Sequence, residues 1–277
     1  MQKILYSKKK KALIFIDKNA TPDFWDEQWN TDSLRKEITC TRSSRFWQGI
    51  VRAYLPEKAV VLEGGCGVGH LVDALNFWGY KATGVDFAEK TVSMVKSIQP
   101  DMNIMYGDVR HLPFADETFD GYFSLGVIEH FWEGYGSILN EMKRVIKPGG
   151  HLFLSVPCIS RMDVFFLLLN RYALYDQDEK PCDFYQYALD IQSVKKTIEK
   201  EGFVCKKSMR RSGLFGISHI HPAVGSCFNY IRSRIPFKKT LSRCISFFLS
   251  PVTSHSVLFV FQKQAKSGVP SETNNKF

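Results

Sequence analysis

Patterns that would assign this 277-residue chain to a membrane span, a secretory route or a metal site are missing from its sequence. No uninterrupted apolar run reaches the ~18–20 residues that a membrane-spanning helix needs. The basic N-terminus is not followed by an apolar core with a small-residue cleavage site, so a signal peptide is not indicated. The seven cysteines form no C-x-x-C pair, which favours reduced, mostly buried thiols. No second clustered pair of ligands accompanies His219, His221 and Cys227, so we expect no bound metal. The cysteine usage and the lack of a signal peptide together favour a cytoplasmic protein.

Acidic residues are absent between Phe203 and Lys266, a segment that holds eleven Lys and Arg. The whole chain has 37 Lys and Arg, 28 Asp and Glu and a net charge of +9, so the remainder carries 26 basic residues and a net charge of −2. This asymmetry points to an anionic partner: a substrate, a membrane surface or a nucleic acid. Within it, residues 208–255 mix basic and apolar residues, as in a basic amphipathic helix on an anionic membrane. An extra lid or a dimer surface packed on the fold is the alternative.

A glycine-rich turn is present, but it is neither of two common phosphate-binding loops. The apolar run Ala59–Leu62 predicts a buried strand, and the pattern turns helical after residue 69. The dinucleotide motif G-x-G-x-x-G would need a glycine where His70 stands, and the Gly-Lys-Ser/Thr of a P-loop is absent. Strand, glycine loop and helix together predict a cradle for a nucleotide-type cofactor, because glycines let the backbone approach a ligand closely. The residues of this turn are Glu63, Gly64, Gly65, Gly67 and Gly69.

The spacing Glu-x-Gly-x-Gly-x-Gly from Glu63 to Gly69 resembles motif I of the class I S-adenosylmethionine-dependent methyltransferases. A predicted second strand ends at Asp86, and a predicted third strand is followed by Asp108, both at the spacing of successive βαβ units. The run LPFADETFD at 112–120 is similar to a hallmark of the ubiquinone-biosynthesis-like group, methyltransferase type 11. The resemblance covers about residues 40–160.

The resemblance implies S-adenosylmethionine as the cofactor. In such proteins an acid near the loop suits the methionine ammonium, which Glu63 would bind, and loop N–H groups suit the carboxylate. Asp86 would accept hydrogen bonds from the ribose hydroxyls and Asp108 from the adenine amine. One departure is Ala88, where the family often has a Ser or Thr that caps the next helix. The expected cofactor-binding residues are Glu63, Gly64, Gly65, Cys66, Gly67, Gly69, Asp86, Phe87, Gly107, Asp108, Val109, Leu125 and Gly126.

The best candidates for chemistry follow the predicted fourth strand, at the edge where open α/β sheets bind their ligands. His130 is either a general base for the acceptor or a residue that shapes its loop by a hydrogen bond to the backbone. Glu129 contacts the cofactor or orients His130, unless it is a solvated loop acid. His70 is a further ligand contact or a helix cap. Trp25 and Trp29, in an aromatic segment before motif I, pack in the core or fold over the cofactor.

The predicted fold is α/β: a Rossmann-like, doubly wound, seven-stranded and mostly parallel sheet with helical or lid insertions. Its reversed last strand, 256–262, is expected beside the fifth. The predicted domains are an N-terminal arm and cofactor lid at 1–40, a methyltransferase domain at 41–265 and a flexible tail at 266–277. Insertions at about 158–190 and 208–255 are predicted to be a substrate lid or surface-binding elements.

The predicted function is methyl transfer from S-adenosylmethionine to a small-molecule, lipid-linked or saccharide acceptor. Peripheral contact with an anionic membrane, at its inner face, is expected through the basic segment 203–266. Two alternatives stay open: lipid methylation like that of cyclopropane fatty acid synthases, which SLGVIEHF at 124–131 also resembles, and an inactive cofactor-binding or partner-binding module. Nucleic acid is disfavoured as the acceptor, because the Asn/Asp-Pro-Pro-Tyr/Phe motif of amino-methylating enzymes is absent.

Overall fold

The computed structural model describes residues 3–29, 31–211 and 254–265, and these ranges form two β-sheets flanked by α-helices. Predicted strand positions agree with the observed ones to within a few residues at most ends, because strongly apolar runs bounded by turn residues mark them clearly. The strands are β1 Lys3–Ser7, β2 Ala12–Ile16, β3 Val60–Gly64, β4 Lys81–Asp86, β5 Ile104–Tyr106, β6 Phe119–Leu125, β7 Ile146–Pro157, β8 Ala173–Leu174, β9 Phe184–Leu189, β10 Phe203–Arg211 and β11 Ser256–Lys263.

The helices begin where the sequence supplies a cap. Thr21, Ser44, Ser160 and Asp190 each accept a hydrogen bond from the first turn of the helix that follows, which satisfies a backbone donor that has no partner inside the helix. The helices are α1 Pro22–Gln28, α2 Thr31–Arg42, α3 Arg45–Tyr54, α4 His70–Phe77, α5 Glu89–Ile98, α6 Gly136–Val145, α7 Arg161–Leu168 and α8 Ile191–Lys200.

The larger sheet has seven strands in the order β10-β11-β7-β6-β3-β4-β5. The five consecutive strands from β7 to β5 run parallel to one another. Strand β11 runs antiparallel to both of its neighbours, β10 and β7. The predicted seven-stranded, mostly parallel sheet with a reversed last strand is therefore confirmed. Since β3 lies between β4 and β6, the chain order reverses there, and the carboxyl ends of these strands form a crevice.

A second sheet, which the sequence analysis did not predict, joins two distant parts of the chain in the order β8-β1-β2-β9. Its first hairpin, β1 and β2, lies in the segment expected to be an arm. Both partner strands come from the 158–190 insertion, with Leu5 opposite Ala173 and Leu13 opposite Ala188. One face of this sheet, including Leu5 and Ile14, packs into the same apolar cluster as β6 and β7.

Two further expectations concern membranes and metals. None of the helices in the described ranges is long and apolar enough to cross a membrane. Across those same ranges, no three His, Cys, Asp or Glu side chains are grouped so that they could hold a metal ion. His219, His221, Cys227 and most of the basic 208–255 segment lie outside the described residues, as does the predicted tail at 266–277.

Candidate active site

The carboxyl ends of β3, β4, β5 and β6 surround a cavity of about 420 Å³. Eleven of the thirteen expected cofactor residues line it, and they come from four separate loops. Parallel strands bring these loops together, because all of them leave the sheet at the same edge. The lining residues predicted from the sequence are Glu63, Gly65, Cys66, Gly67, Asp86, Phe87, Gly107, Asp108, Val109, Leu125 and Gly126.

The other two expected residues, Gly64 and Gly69, do not line the cavity but pack behind it. A Cβ atom on Gly64 would come within 2.0 Å of the Tyr122 hydroxyl. Gly69 is the N-cap of α4 with a positive φ of 71°, and a Cβ there would come within 2.6 Å of the Met102 sulfur. Glycine at both positions is therefore explained by close packing.

Internal hydrogen bonds shape the glycine loop. The N–H groups of Gly65 and Cys66 donate to the Val85 carbonyl, over 2.8 and 3.1 Å, and the N–H of Gly67 donates to Asp86 Oδ2 over 2.7 Å. Gly67 has a φ of 51°, and a Cβ atom there would lie 3.1 Å from the indole ring of Trp29. The N–H groups of these three residues thus already donate within the protein, where they shape the loop, and their contact with a cofactor stays a prediction.

Glu63 is buried at the floor of the cavity. Its Oε2 atom has no hydrogen-bond partner among the residues that the structure describes. Burial, together with the nearby charge of Asp86, raises the pKa of Glu63 to about 8. A buried carboxyl oxygen without a hydrogen-bond partner is costly, so Oε2 is available to a cation or a donor that a ligand brings.

Asp86 supports both the loop and the next helix. While Oδ2 accepts from Gly67, Oδ1 accepts from the Ala88 N–H over 2.9 Å. Ala88 is the N-cap of α5 and offers no side-chain hydrogen bond. The N–H of Thr91, the third residue of the helix, which a Ser or Thr cap would accept, donates instead to Asp26 Oδ1 over 2.7 Å. Burial raises the pKa of Asp86, against the lowering effect of the Gly67 and Ala88 N–H donors.

Asp108 is held by a neighbour that the sequence analysis did not single out. The Arg110 guanidinium donates to both of its carboxylate oxygens, with Nη2 at 2.6 Å from Oδ2, and packs over the Phe131 ring. Burial would raise the pKa of Asp108, but the hydrogen bonds from Arg110 outweigh it, and the pKa lies below its ordinary value. Asp108 is therefore an ionised acceptor at neutral pH.

His130 lines the cavity, and its Nδ1–H donates to the Tyr185 carbonyl over 2.8 Å. The rings of Trp25 and Tyr185 lie edge-on to it, with centroids at 5.0 and 5.2 Å. Burial lowers the pKa of His130 to about 4, although the bond to Tyr185 opposes this. The ring is thus neutral at pH 7, with the proton on Nδ1 and an unprotonated Nε2.

Glu129 is buried but does not line the cavity. In the described part of the chain its Oε2 finds no hydrogen-bond partner, and Oε1 lies 3.6 Å from the point where a Cβ of Gly126 would stand. Burial raises the pKa of Glu129 to about 8. The structure therefore places it behind the turn that carries His130, in dry surroundings rather than in solvent.

The remaining cavity wall combines residues left open by the sequence with residues that it did not indicate. Trp25 and Trp29 both line the cavity, and α1 is held in place because Asp26 accepts from the N–H and hydroxyl of Thr91. His70 lines it as well, with Nδ1 at 3.4 Å from the Glu37 carboxylate. The lining residues that were not predicted are Ala20, Arg110, Val127, Phe131, Trp132, Glu133 and Lys180.

Comparison with known proteins agrees with this arrangement. Residues 62–154 match a methyltransferase domain family. A probable S-adenosylmethionine-dependent methyltransferase of Mycolicibacterium smegmatis is 35% identical over 97 residues, covering 35% of this chain and 37% of that protein. The demethylmenaquinone methyltransferase of Staphylococcus haemolyticus is 28% identical over 157 residues, covering 51% of this chain and 64% of that protein. The matched regions thus span less than two thirds of either relative.

A solved structure shares the fold over nearly the whole chain. The 1,6-didemethyltoxoflavin-N1-methyltransferase of Burkholderia thailandensis, solved with S-adenosylhomocysteine, superposes with a TM-score of 0.52 at 14% identity, covering 95% of this chain and 100% of that chain. The matched domain, the ordered motifs and the reversed strand all agree. The chain has the fold of the class I S-adenosylmethionine-dependent methyltransferases, its residues 62–154 match the methyltransferase domain of the type 11 group, and the cofactor is S-adenosylmethionine.

Proposed function

We propose that this protein transfers a methyl group from S-adenosylmethionine to a small-molecule, lipid-linked or saccharide acceptor. The observation that carries the proposal is Oε2 of the buried Glu63 carboxyl group, which has no hydrogen-bond partner in the described part of the chain and lies at the floor of a cavity lined by eleven of the residues expected to bind the cofactor. That orphaned acid fits the ammonium of a methionine moiety, since ion pairing would supply the missing partner.

The chain's own residues would hold the cofactor along the sheet edge. Glu63 would bind the ammonium, Asp86 the ribose hydroxyls, and Asp108, kept ionised by Arg110, the adenine amine. Trp29, against the glycine loop, would close the cavity and exclude water. The cofactor would supply an activated methyl group on a sulfonium, whose sulfur would leave as a neutral thioether.

His130 would act mainly by position in this site. Because its Nδ1 is committed to the Tyr185 carbonyl, Nε2 is the ring atom left to accept a hydrogen bond from the acceptor. Its lowered pKa makes it a weak base that stays neutral over the physiological range. Glu129, behind the same turn, would support the position of His130 without contacting the acceptor.

Calorimetric titration with S-adenosylmethionine tests the cofactor site. We expect binding by the wild-type protein and none by Gly67→Arg, since Gly67 has a positive φ and borders both the cavity and Trp29. Gly136→Arg is the matched control, because nothing lies within 4 Å of a Cβ at that exposed position. Equal binding by the wild type and Gly67→Arg, or no binding by the wild type, would refute the site.

A transfer assay with tritiated S-adenosylmethionine and fractionated cell extract then separates catalysis from binding alone. Label in a polar or lipid fraction supports the proposal and indicates the acceptor class. Label that appears as a cyclopropane or methyl group on a lipid chain would favour the lipid-methylation alternative. Binding without transfer to any fraction would favour an inactive module. We further propose a cytoplasmic location with peripheral contact to the inner face of a membrane, through the basic residues 203–266.

A further inference from the structure

Helix α7 presents an apolar surface to solvent. Its sequence, RMDVFFLL, is apolar on nearly all sides, a pattern typical of a helix that is covered on every face. Exposed large apolar side chains that are contiguous mark a binding surface more often than isolated ones do. The α7 patch consists of Val164, Phe165, Leu168, Leu169 and Leu174, which are 47%, 52%, 77%, 54% and 59% exposed.

The inner side of α7 fixes its orientation, so the patch cannot turn inward. Leu167 packs with Leu13 and Phe15 on the outer face of the small sheet. Ser160 and Asp163 form a reciprocal capping box at the start of the helix, and Asp163 also accepts from the Tyr172 hydroxyl over 2.8 Å. The patch residues therefore face away from the small sheet and do not take part in its packing.

The charges around the patch are complementary to an anionic surface. Arg161 and Arg171 lie exposed at its two ends, and neither forms an ion pair with any residue of the described ranges. The one acid of the helix, Asp163, is occupied by its bonds to Ser160 and Tyr172. Elsewhere the chain has the acid-free segment from Phe203 to Lys266, with its eleven basic residues.

We propose that the α7 patch docks this protein on an anionic lipid bilayer. Stable attachment to a membrane generally takes two signals, one apolar and one basic. Here the apolar signal is the α7 patch, and the basic signal comes from the exposed Arg161 and Arg171 at its two ends. A second copy of the chain or another part of the same chain would also cover an apolar face, and these are outcomes of the test below.

The position of α7 connects the docking surface to the cavity. Tyr185 belongs to the same apolar cluster as Leu167, and its backbone carbonyl is the partner of His130. A protein attached through α7 would therefore hold the small sheet, whose strand β9 carries the Tyr185 carbonyl bonded to His130, close to the bilayer. If the proposed methyl transfer is correct, this placement favours an amphiphilic acceptor drawn from the membrane, and that last step alone rests on the proposed function.

Vesicle co-sedimentation tests the proposal. We expect the wild-type protein to sediment with vesicles of phosphatidylcholine and phosphatidylglycerol, and less with phosphatidylcholine alone. The double variant Phe165→Ser/Leu168→Ser should bind about tenfold more weakly, because two exposed apolar side chains no longer enter the bilayer. Phe77→Ser is the matched control: its side chain is 63% exposed but lies at the end of α4, so binding should not change.

The same double variant separates the competing explanations. We expect its melting temperature and its S-adenosylmethionine affinity to equal those of the wild type, which keeps membrane docking distinct from the cofactor site. Wild-type vesicle binding by the double variant overturns the proposal. A melting temperature several degrees below that of the wild type also overturns the proposal, because it would show that another part of the chain packs over the patch. A wild-type dimer in light scattering that the double variant dissociates would instead assign the patch to a second copy.

Discussion

Glu63 and Glu129 are both buried carboxyl groups, but only Glu63 faces the cavity. Burial raises the pKa of each to about 8, so both are protonated at neutral pH in the free protein. A cationic ammonium beside Glu63 would favour its ionised form and release its proton. In the proposed site, the charge of the ligand would change the ionisation of Glu63 but not that of Glu129, so the two residues can be compared directly.

We expect S-adenosylmethionine binding near pH 7 to release up to about one proton per site, since Glu63 would lose its proton on pairing. Calorimetry in two buffers of different ionisation enthalpy measures this release. Glu63→Gln should remove it and weaken binding, whereas Glu129→Gln should retain it. Equal proton release by Glu63→Gln and the wild type would rule out the proposed ammonium contact.

Stability should fall as pH rises through the range set by Glu129. Its folded pKa of about 8 lies above the ordinary 4.5, so the folded state holds a proton that the unfolded state has lost. The resulting stabilisation is complete below about pH 4.5 and disappears as pH rises through 8, at up to about 1.4 kcal/mol per pH unit. Urea unfolding across this range should show a smaller slope for Glu129→Gln. An equal slope for Glu129→Gln and the wild type would contradict this assignment.

His130 should affect turnover more than cofactor affinity. We expect His130→Ala to lower kcat about tenfold to a hundredfold, because the hydrogen bond that orients the acceptor is lost, while the Kd for S-adenosylmethionine stays within about threefold. The wild-type kcat should show no titration of this histidine between pH 5 and 8, since its pKa is about 4. If kcat instead fell below an apparent pKa near 6.5, and His130→Ala removed that pH dependence, His130 would be a general base.

At the scale of elements, the parts of the site that the sequence predicted are local. Glu63 to Gly69 form one continuous strand-loop-helix unit, Asp86 ends the next strand, and Asp108 follows the one after it by two residues, so βαβ order alone brings them to one edge. The substitute cap of α5, in which Asp26 accepts from the Thr91 N–H, could not be predicted, because the two residues are 65 positions apart and no local pattern links them. Glu129 was placed on the correct turn, but periodicity does not say which side chain of a short turn faces inward.

The aromatic helix α1 should contribute to cofactor binding. The Trp29 ring lies against Gly67, where it covers the glycine loop, and Trp25 lies against His130. We expect Trp29→Ala to weaken S-adenosylmethionine binding about tenfold, because a large aromatic surface no longer excludes water. Calorimetry measures the Kd. Trp78→Ala, which removes an indole bonded to the Arg42 carbonyl, is a matched control that should cost stability with little change in Kd.

For the whole molecule, the main feature missing from the sequence analysis is the small sheet. Ser7 and Asp176, which share a hydrogen bond of 3.1 Å, are 169 residues apart, and no local pattern links them. The same reason hides Lys180 and Trp132 from a motif search, although both line the cavity. Lys10, in the β1–β2 turn, donates to the Trp132 carbonyl over 2.8 Å, so the N-terminal hairpin directly supports the cavity wall.

We expect the small sheet to unfold together with the larger one. Ile14 is fully buried in the cluster that β6 and β7 share, so Ile14→Ala should cost about 2–5 kcal/mol of unfolding free energy in a single transition. Circular dichroism with increasing urea measures this. Ile4→Ala, at a half-buried position on the opposite face of the sheet, should cost less. Two separate transitions would show that the small sheet is an independent unit.

The location of β11 has a consequence for synthesis. The strand is made after both of its neighbours, since it pairs with β7 on one side and β10 on the other. Until β11 has been synthesised, the edges of β7 and β10 are unpaired, and strands of other chains can pair with them. Translation products that stop short of residue 256 should therefore aggregate or recruit chaperones, even though every residue of the glycine loop has already been made.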